Sequence, residues 1–181
     1  MKLTIHQPNL IPWIPFFEKM QEADVFVILG HCQFEKGGFQ NRFRHKDFWN
    51  TLSVSRGIDT IVNKRYTNYH YDWIKIAKRL GISDYLKDEI GSLLSESLYQ
   101  TNYNLIKLIA KRLNIKTKIV SDYNTNKLGT YRIIDICKHY EATEYISGPS
   151  GSKYLNLTLF KNIKVSFFKS FETRNVLSLL T

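Results

Sequence analysis

Cysteine is scarce in this chain: 181 residues carry two, Cys32 and Cys137. Two thiols so far apart make no disulfide framework and point to a reducing cytoplasm. They make no zinc motif, and no pair of histidines has the helical spacing of a metal site, so no metal is expected. No apolar run reaches the length of a membrane span. The start, MKLTIHQP, holds one lysine but no long apolar stretch or small-residue cleavage site, so nothing directs export. A Walker phosphate loop is missing, as is a complete dinucleotide glycine fingerprint. No internal repeat or low-complexity linker interrupts the chain, and its length suits one domain, 1–181, with a core that stands without staples. Negative charge is scarce too, since 16 Asp and Glu face 26 Lys and Arg and leave a formal net charge of +10. Such a surplus draws anions at long range. Nucleotide sugars, coenzyme A, aminoacyl-tRNA, nucleic acid or a membrane surface all satisfy that field, and so does the use of lysine for solubility alone.

What is present alternates between β-prone and helical runs. LTIHQ reads as a strand and PWIPFFEKMQEAD as a helix, with proline early, where a missing donor does least harm. VFVIL, from Val25 to Leu29, is apolar throughout and suits a strand covered on both faces. HCQFEKGGFQNRFRH with FWNTLSVS predicts a hairpin, or an extended loop and strand, around a Gly37-Gly38 turn. VNKRYTNYHY predicts a loop. Three amphipathic segments follow, the first with Gly81 as its stop. KTKIVSDY reads as a strand, YRIIDICKHYEA as a helix, TEYISG as a strand, YLNLTLFKNI as a helix and KVSFFKSF as the last strand. The expected class is α/β: a mostly parallel, Rossmann-like sheet with helices on both faces, plus a β-hairpin excursion.

Ligands of open α/β sheets gather beyond the carboxyl ends of the strands. HQPN lies there after the first strand, and SGPSGS after TEYI, each expected to enter a helix whose free amides can hold an anion. His6 can serve as a general base or as a hydrogen-bond donor to substrate, or it can simply be satisfied by backbone at a turn. Gln7 and Asn9 are amides suited to orienting a polar ligand. Ser147, Gly148, Ser150 and Gly151 give the second turn small residues that allow close approach. Along QFEKGGFQNRFR, Lys36, Arg42 and Arg44 interleave with aromatics. Alternation puts Arg42 and Arg44 on one face and Asn41 and Phe43 on the other, where the arginines can fork onto an anion or merely protect an edge strand. Cys32 beside His31 suggests an activated thiolate, yet adjacent strand residues point apart unless the chain turns.

Taken together, IHQPNLIPWIPFFEKMQEADVFVIL, QFEKGGFQNRFR and ATEYISGPSGSKYL resemble the WbqC-like family, known from bacterial surface-polysaccharide clusters and described as glycine transferases. The resemblance covers most of the chain and is strongest over its first 45 residues. It brings Gln33 into the expected substrate-binding set with Gln7, Asn9, Lys36, Asn41, Arg42, Arg44 and the serine-glycine turn. Family members carry an acidic pair before that glutamine, where this chain has Gly30 and His31, so His31 stands beside His6 as a catalytic candidate. The family's Asn-Arg-Asn-Arg run is here Asn41-Arg42-Phe43-Arg44, and Pro15 replaces a usual glycine.

The resemblance implies an acyl or aminoacyl transferase, a cytoplasmic N-acyltransferase that forms an amide on a nucleotide-linked amino sugar for O-antigen or a related surface polysaccharide. His6 would take the amine proton, and the SGPSGS backbone or Asn41 would hold the oxyanion. No bound cofactor is expected. The anionic acyl donor would be a coenzyme A thioester, a carrier-protein thioester or an aminoacyl-tRNA, nucleic acid entering only in the last case, and a homo-oligomer is compatible with this. Two other readings stand beside it: a nucleotidylyltransferase, and a basic nucleic-acid-binding module without catalysis.

Overall fold

The structure, a computed structural model, describes residues 1–180. Its centre is a five-stranded parallel sheet, formed by β1 (Lys2–His6), β2 (Val25–Ile28), β5 (Lys118–Ser121), β6 (Glu144–Ser147) and β7 (Lys164–Phe167) in the order β5-β2-β1-β6-β7. The remaining elements are α1 (Ile14–Gln21), the antiparallel pair β3 (Arg42–His45) and β4 (Phe48–Thr51), α2 (Tyr69–Leu80), α3 (Asp84–Ser92), α4 (Leu98–Arg112) and α5 (Gly129–His139). This is the α/β class with a separate hairpin that the alternating sequence predicts. No described helix is long and apolar enough to cross a membrane.

Two cores flank the sheet, and β2 shows why its sequence is apolar throughout. Phe26 and Ile28 face Phe16, Phe17 and Met20 of α1 and Leu105, Ile106 and Ile109 of α4. Val25 and Val27 point the other way, with Leu3 and Ile5, onto Ile133, Ile136 and Cys137 of α5. Alternating side chains on a strand cannot reach one core only, so both faces must be hydrophobic. Thr4 is the polar one among the buried residues of β1, and its hydroxyl donates to the Ile146 carbonyl at 2.7 Å.

The order of connections matters most for function. From β1 the chain runs through α1 to β2, then through the hairpin and α2 to α4 to β5, all on one side of β1. From β5 it crosses through α5 to β6, on the other side of β1. The two directions part at β1 and β6, a topological switch point.

Local details depart from the sequence reading in three places. The hairpin reverses at Lys46-Asp47, whose φ angles of 47° and 64° suit a two-residue loop between the paired His45 and Phe48. Gly37-Gly38 instead shapes the loop before β3, where the Gly38 amide donates to Glu35. The expected helix over YLNLTLFKNI is a single 3₁₀ turn, Leu157–Phe160, because the Asn156 side chain caps its start and Lys161, at φ 48°, turns the chain away at its end. Finally, α2 begins at Tyr69, inside the expected loop, while Gly81 does end it in the left-handed conformation.

Phe26 is fully buried between sheet and helices. Phe26→Ala is expected to lower unfolding free energy by about 3–5 kcal/mol in urea denaturation, while Ile58→Ala, at a residue 88% exposed, should change it by less than about 0.5 kcal/mol.

Candidate functional site

A crevice of about 390 Å³ opens at the switch point. Its floor is Ile5 and His6 at the end of β1, one wall is Phe16 and Lys19 of α1 with Trp13 before it, and the opposite wall is the Gly148–Gly151 turn after β6 with Tyr145 and Tyr154. The first loop and the late glycine turn, far apart in sequence, thus meet around one cavity.

His6 is half-buried, edge-on to Phe16 at 4.8 Å and to Trp13 at 6.0 Å between ring centroids. Its Nδ1 lies 3.0 Å from the Gln7 carbonyl oxygen. A carbonyl only accepts, so Nδ1 carries the proton and Nε2 keeps its lone pair. Burial, and then the charge of Lys19, pull the imidazole down from 6.5 to about 3. It is therefore neutral at physiological pH.

Lys19 is the residue that sequence reading misses. It sits in the last turn of α1, where a lysine ordinarily reaches solvent, yet it is 4% exposed and its Nζ donates to the Ile5 carbonyl at 3.2 Å. Desolvation lowers its amine from 10.5 to about 7. No described carboxylate pairs with it: Glu18, its neighbour on α1, accepts from the Ser170 hydroxyl, and Glu172 is held by both the side chain and the amide of Arg174. The signal in the sequence was its place on the apolar face of a short helix, three residues after Phe16 and just before Met20.

The amides expected to hold an anion are largely occupied. At α1, Ile14 donates to the Arg174 carbonyl, Pro15 has no N–H, and Phe16 donates to Trp13. After β6 the chain makes only a five-residue 3₁₀ helix, Pro149–Lys153, in which the Gly151 amide donates to Gly148. Gly151 serves another purpose: a Cβ there would collide with the Ser147 hydroxyl, which itself donates to Gly148. The turn supplies close approach rather than a ring of free donors.

The remaining expected residues are dispersed. Asn9 and Arg44 line a second cavity of about 400 Å³ with Phe39, Phe43 and Trp49, which shares Trp13 and Glu172 with the crevice. Arg42 and Arg44 do lie on one face of β3, but each is engaged by different groups of the chain itself. Arg42 binds the Gly37 and Gly38 carbonyls and stacks over Trp49 at 4.2 Å, while Arg44 pairs with Asp47 at 3.3 Å. Asn41 is buried and its amide donates to Leu52, away from the crevice. Gln33 and Lys36 line a third cavity with Arg56 and Lys64. Gln7 is tied up between Gln40 and Cys32.

His31 stands apart from His6. Its Nδ1 lies 2.9 Å from the buried Asp122 carboxylate, which also accepts from the Gly30 and His31 amides and faces Arg132 at 3.5 Å. Asp122 thus clasps the loop after β2 to the end of β5. The Cys32 thiol, pushed up to about 11 mainly by burial, stays protonated at neutral pH and is no thiolate nucleophile. Among the described residues, no three His, Cys, Asp or Glu side chains gather as a metal site.

The model of the WbqC-like protein family matches residues 7–174. An uncharacterized protein of Mycobacterium tuberculosis (strain ATCC 25618 / H37Rv), Rv1507c, is 27% identical over 188 residues, covering 92% of this chain and 81% of its own. No solved structure matches the chain.

The two depressed bases set a pH dependence. Because each binds its proton less tightly when folded, the unfolded chain holds more protons between the two values and stability rises with pH there. His6 should give such a rise from about pH 3 to 6.5, and Lys19 from about pH 7 to 10.5. Urea midpoints measured across pH should show Lys19→Met flattening the alkaline rise relative to the parent protein, with the acid limb retained.

Proposed function

Because the chain belongs to the WbqC-like protein family, we propose that it is a transferase whose reaction centre is the switch-point crevice. The reaction is acyl or aminoacyl transfer onto the amine of a nucleotide-linked amino sugar, in the assembly of a bacterial surface polysaccharide such as O-antigen. One observation carries this reading: a neutral imidazole with its Nε2 lone pair unspent lies at the end of β1, in the same cavity as the glycine turn after β6.

The chemistry asks for little more. The sugar amine attacks the acyl carbonyl carbon of a thioester or ester donor, and a C–N bond forms. The proton shed by nitrogen passes to His6 Nε2, which returns it to the leaving sulfur or oxygen as the C–S or C–O bond breaks. Phe16 and Trp13 hold the imidazole edge-on, so the base is positioned before substrate arrives. At Gly148, which lines the opposite wall, nothing stands within 4 Å of where a Cβ would lie, so the turn leaves open space for the donor.

The second cavity suits the nucleotide. Trp13 and Glu172 line both spaces, so an acceptor with its sugar beside His6 extends past Trp13 towards Phe39, Trp49 and Arg44. Aromatic faces stack on a base, and Arg44 offers charge at the rim. The net charge of +10 favours any of the three anionic donors, coenzyme A, carrier-protein or aminoacyl-tRNA.

The test is amide formation, followed by mass spectrometry, from nucleotide-linked amino sugars offered with each donor class. His6→Ala should lower the rate by about 100-fold or more. Unchanged turnover in that variant would remove His6 from the chemistry.

A further inference from the structure

A buried ammonium with no counter-ion is expensive, because burial strips its water and nothing charged replaces it. Lys19 is buried without one, and the cost shows as an amine that gives up its proton near neutral pH. A single backbone carbonyl accepts from it, and the ring of Phe26 lies 6.0 Å away. Its Nζ belongs to a helix that packs on the sheet through Phe16, Phe17 and Met20, where a methionine or leucine would fill the same volume without cost. The side chain lines the crevice and does not face a sealed core.

The surroundings define what would complete it. His6 faces it from the end of β1, Tyr145 from β6, and Tyr154 from the turn beyond; burial holds both phenols protonated. The two nearby carboxylates, Glu18 and Glu172, already have donors of their own. The site therefore has one amine that lacks a counter-ion, neutral donors, a small-residue wall, and one lining carboxylate, Glu172, that Arg174 already neutralises. That is a receptor for an oxyanion.

We propose that Lys19 Nζ is the seat of a substrate oxyanion, a phosphoryl or carboxylate group, bound in the switch-point crevice against the Gly148–Gly151 turn. Seating the anion has a second effect, which rests on the transferase reading above. The charge of Lys19 is one of the two forces that lower His6. An oxyanion beside it offsets that repulsion, so the ammonium that forms on binding does not further weaken the imidazole as a base. Lys19 touches the bound group, whereas its action on His6 is a positioning and tuning role.

The experiment is calorimetric titration of the intact protein with sulfate, pyrophosphate and acetate at about pH 8, in two buffers of different ionisation enthalpy. Sulfate does not titrate near that pH, so proton uptake on its binding belongs to the protein. The parent protein should bind at least one of the three, with uptake approaching one proton as the amine regains its charge. Tighter binding of sulfate and pyrophosphate identifies a phosphoryl group, and tighter binding of acetate a carboxylate. Lys19→Met should weaken binding by about tenfold or more while holding or raising the melting temperature, a combination that a merely structural lysine would not produce. Lack of binding by the parent protein, binding without proton uptake, or equal affinity in Lys19→Met overturns the proposal. Should Lys19→Met fail to fold, the uptake measured on the parent protein still decides. The outcome is separable from the transferase reading: amide synthesis undiminished in Lys19→Met would sink the oxyanion seat alone, and anion binding without amide synthesis would sink the transferase alone.

Discussion

β1 pairs in parallel with β2 on one side and β6 on the other, and the chain leaves the two pairings in opposite directions. Neither connection can cover the carboxyl end of β1, so a gap is forced there by topology. Three features border that gap. The β1 strand ends in His6, α1 brings Lys19 to it, and the chain after β6 turns in small residues so that the opposite wall stands close. The rest of the protein keeps those walls in place: two hydrophobic cores grip β2 from both faces, and Asp122 fastens the loop after β2 to the end of β5.

Much of this was legible in the amino-acid sequence because the physics involved is local. The runs LTIH, VFVI, KIVS, EYIS and KVSF announce strands through β-branched residues, and α2, α4 and α5 through helical spacing. The fate of weaker signals depended on pairing. Gly37-Gly38 is a stronger turn dipeptide than Lys46-Asp47, but register across β3 and β4, with Phe43 opposite Asn50, decides where a hairpin reverses. Leu157–Phe160 is too short to propagate as an α-helix once Asn156 and Lys161 bound it.

The site was legible in part. His6 and the serine-glycine turn could be found because strand ends in an α/β sheet are where ligands gather, and the order of elements places both strands' ends at one edge. The arginines of β3 were legible as a pair but not in their partners. Alternation correctly puts Arg42 and Arg44 on one face, yet it says nothing of the carbonyls of Gly37 and Gly38, or of Asp47, that engage them. Lys19 was hidden by its residue type. A lysine near a helix C-terminus reads as solvated and dipole-stabilised, and only the tertiary packing of α1 shows that this one lies inside. Asp122 was hidden because its partners, Gly30 and His31, come from the loop after β2, about ninety residues earlier.

A field of net positive charge surrounds the molecule, and at the switch point that charge takes a specific form, one desolvated amine facing one neutral imidazole across a cavity. The account therefore predicts a location. In a crystal of the protein soaked with a nucleotide-linked amino sugar, ligand density should fill the crevice with an anionic oxygen at hydrogen-bond distance from Lys19 Nζ and the sugar beside His6 Nε2. Density confined to the cavity of Arg56 and Lys64, with the crevice empty, would contradict it.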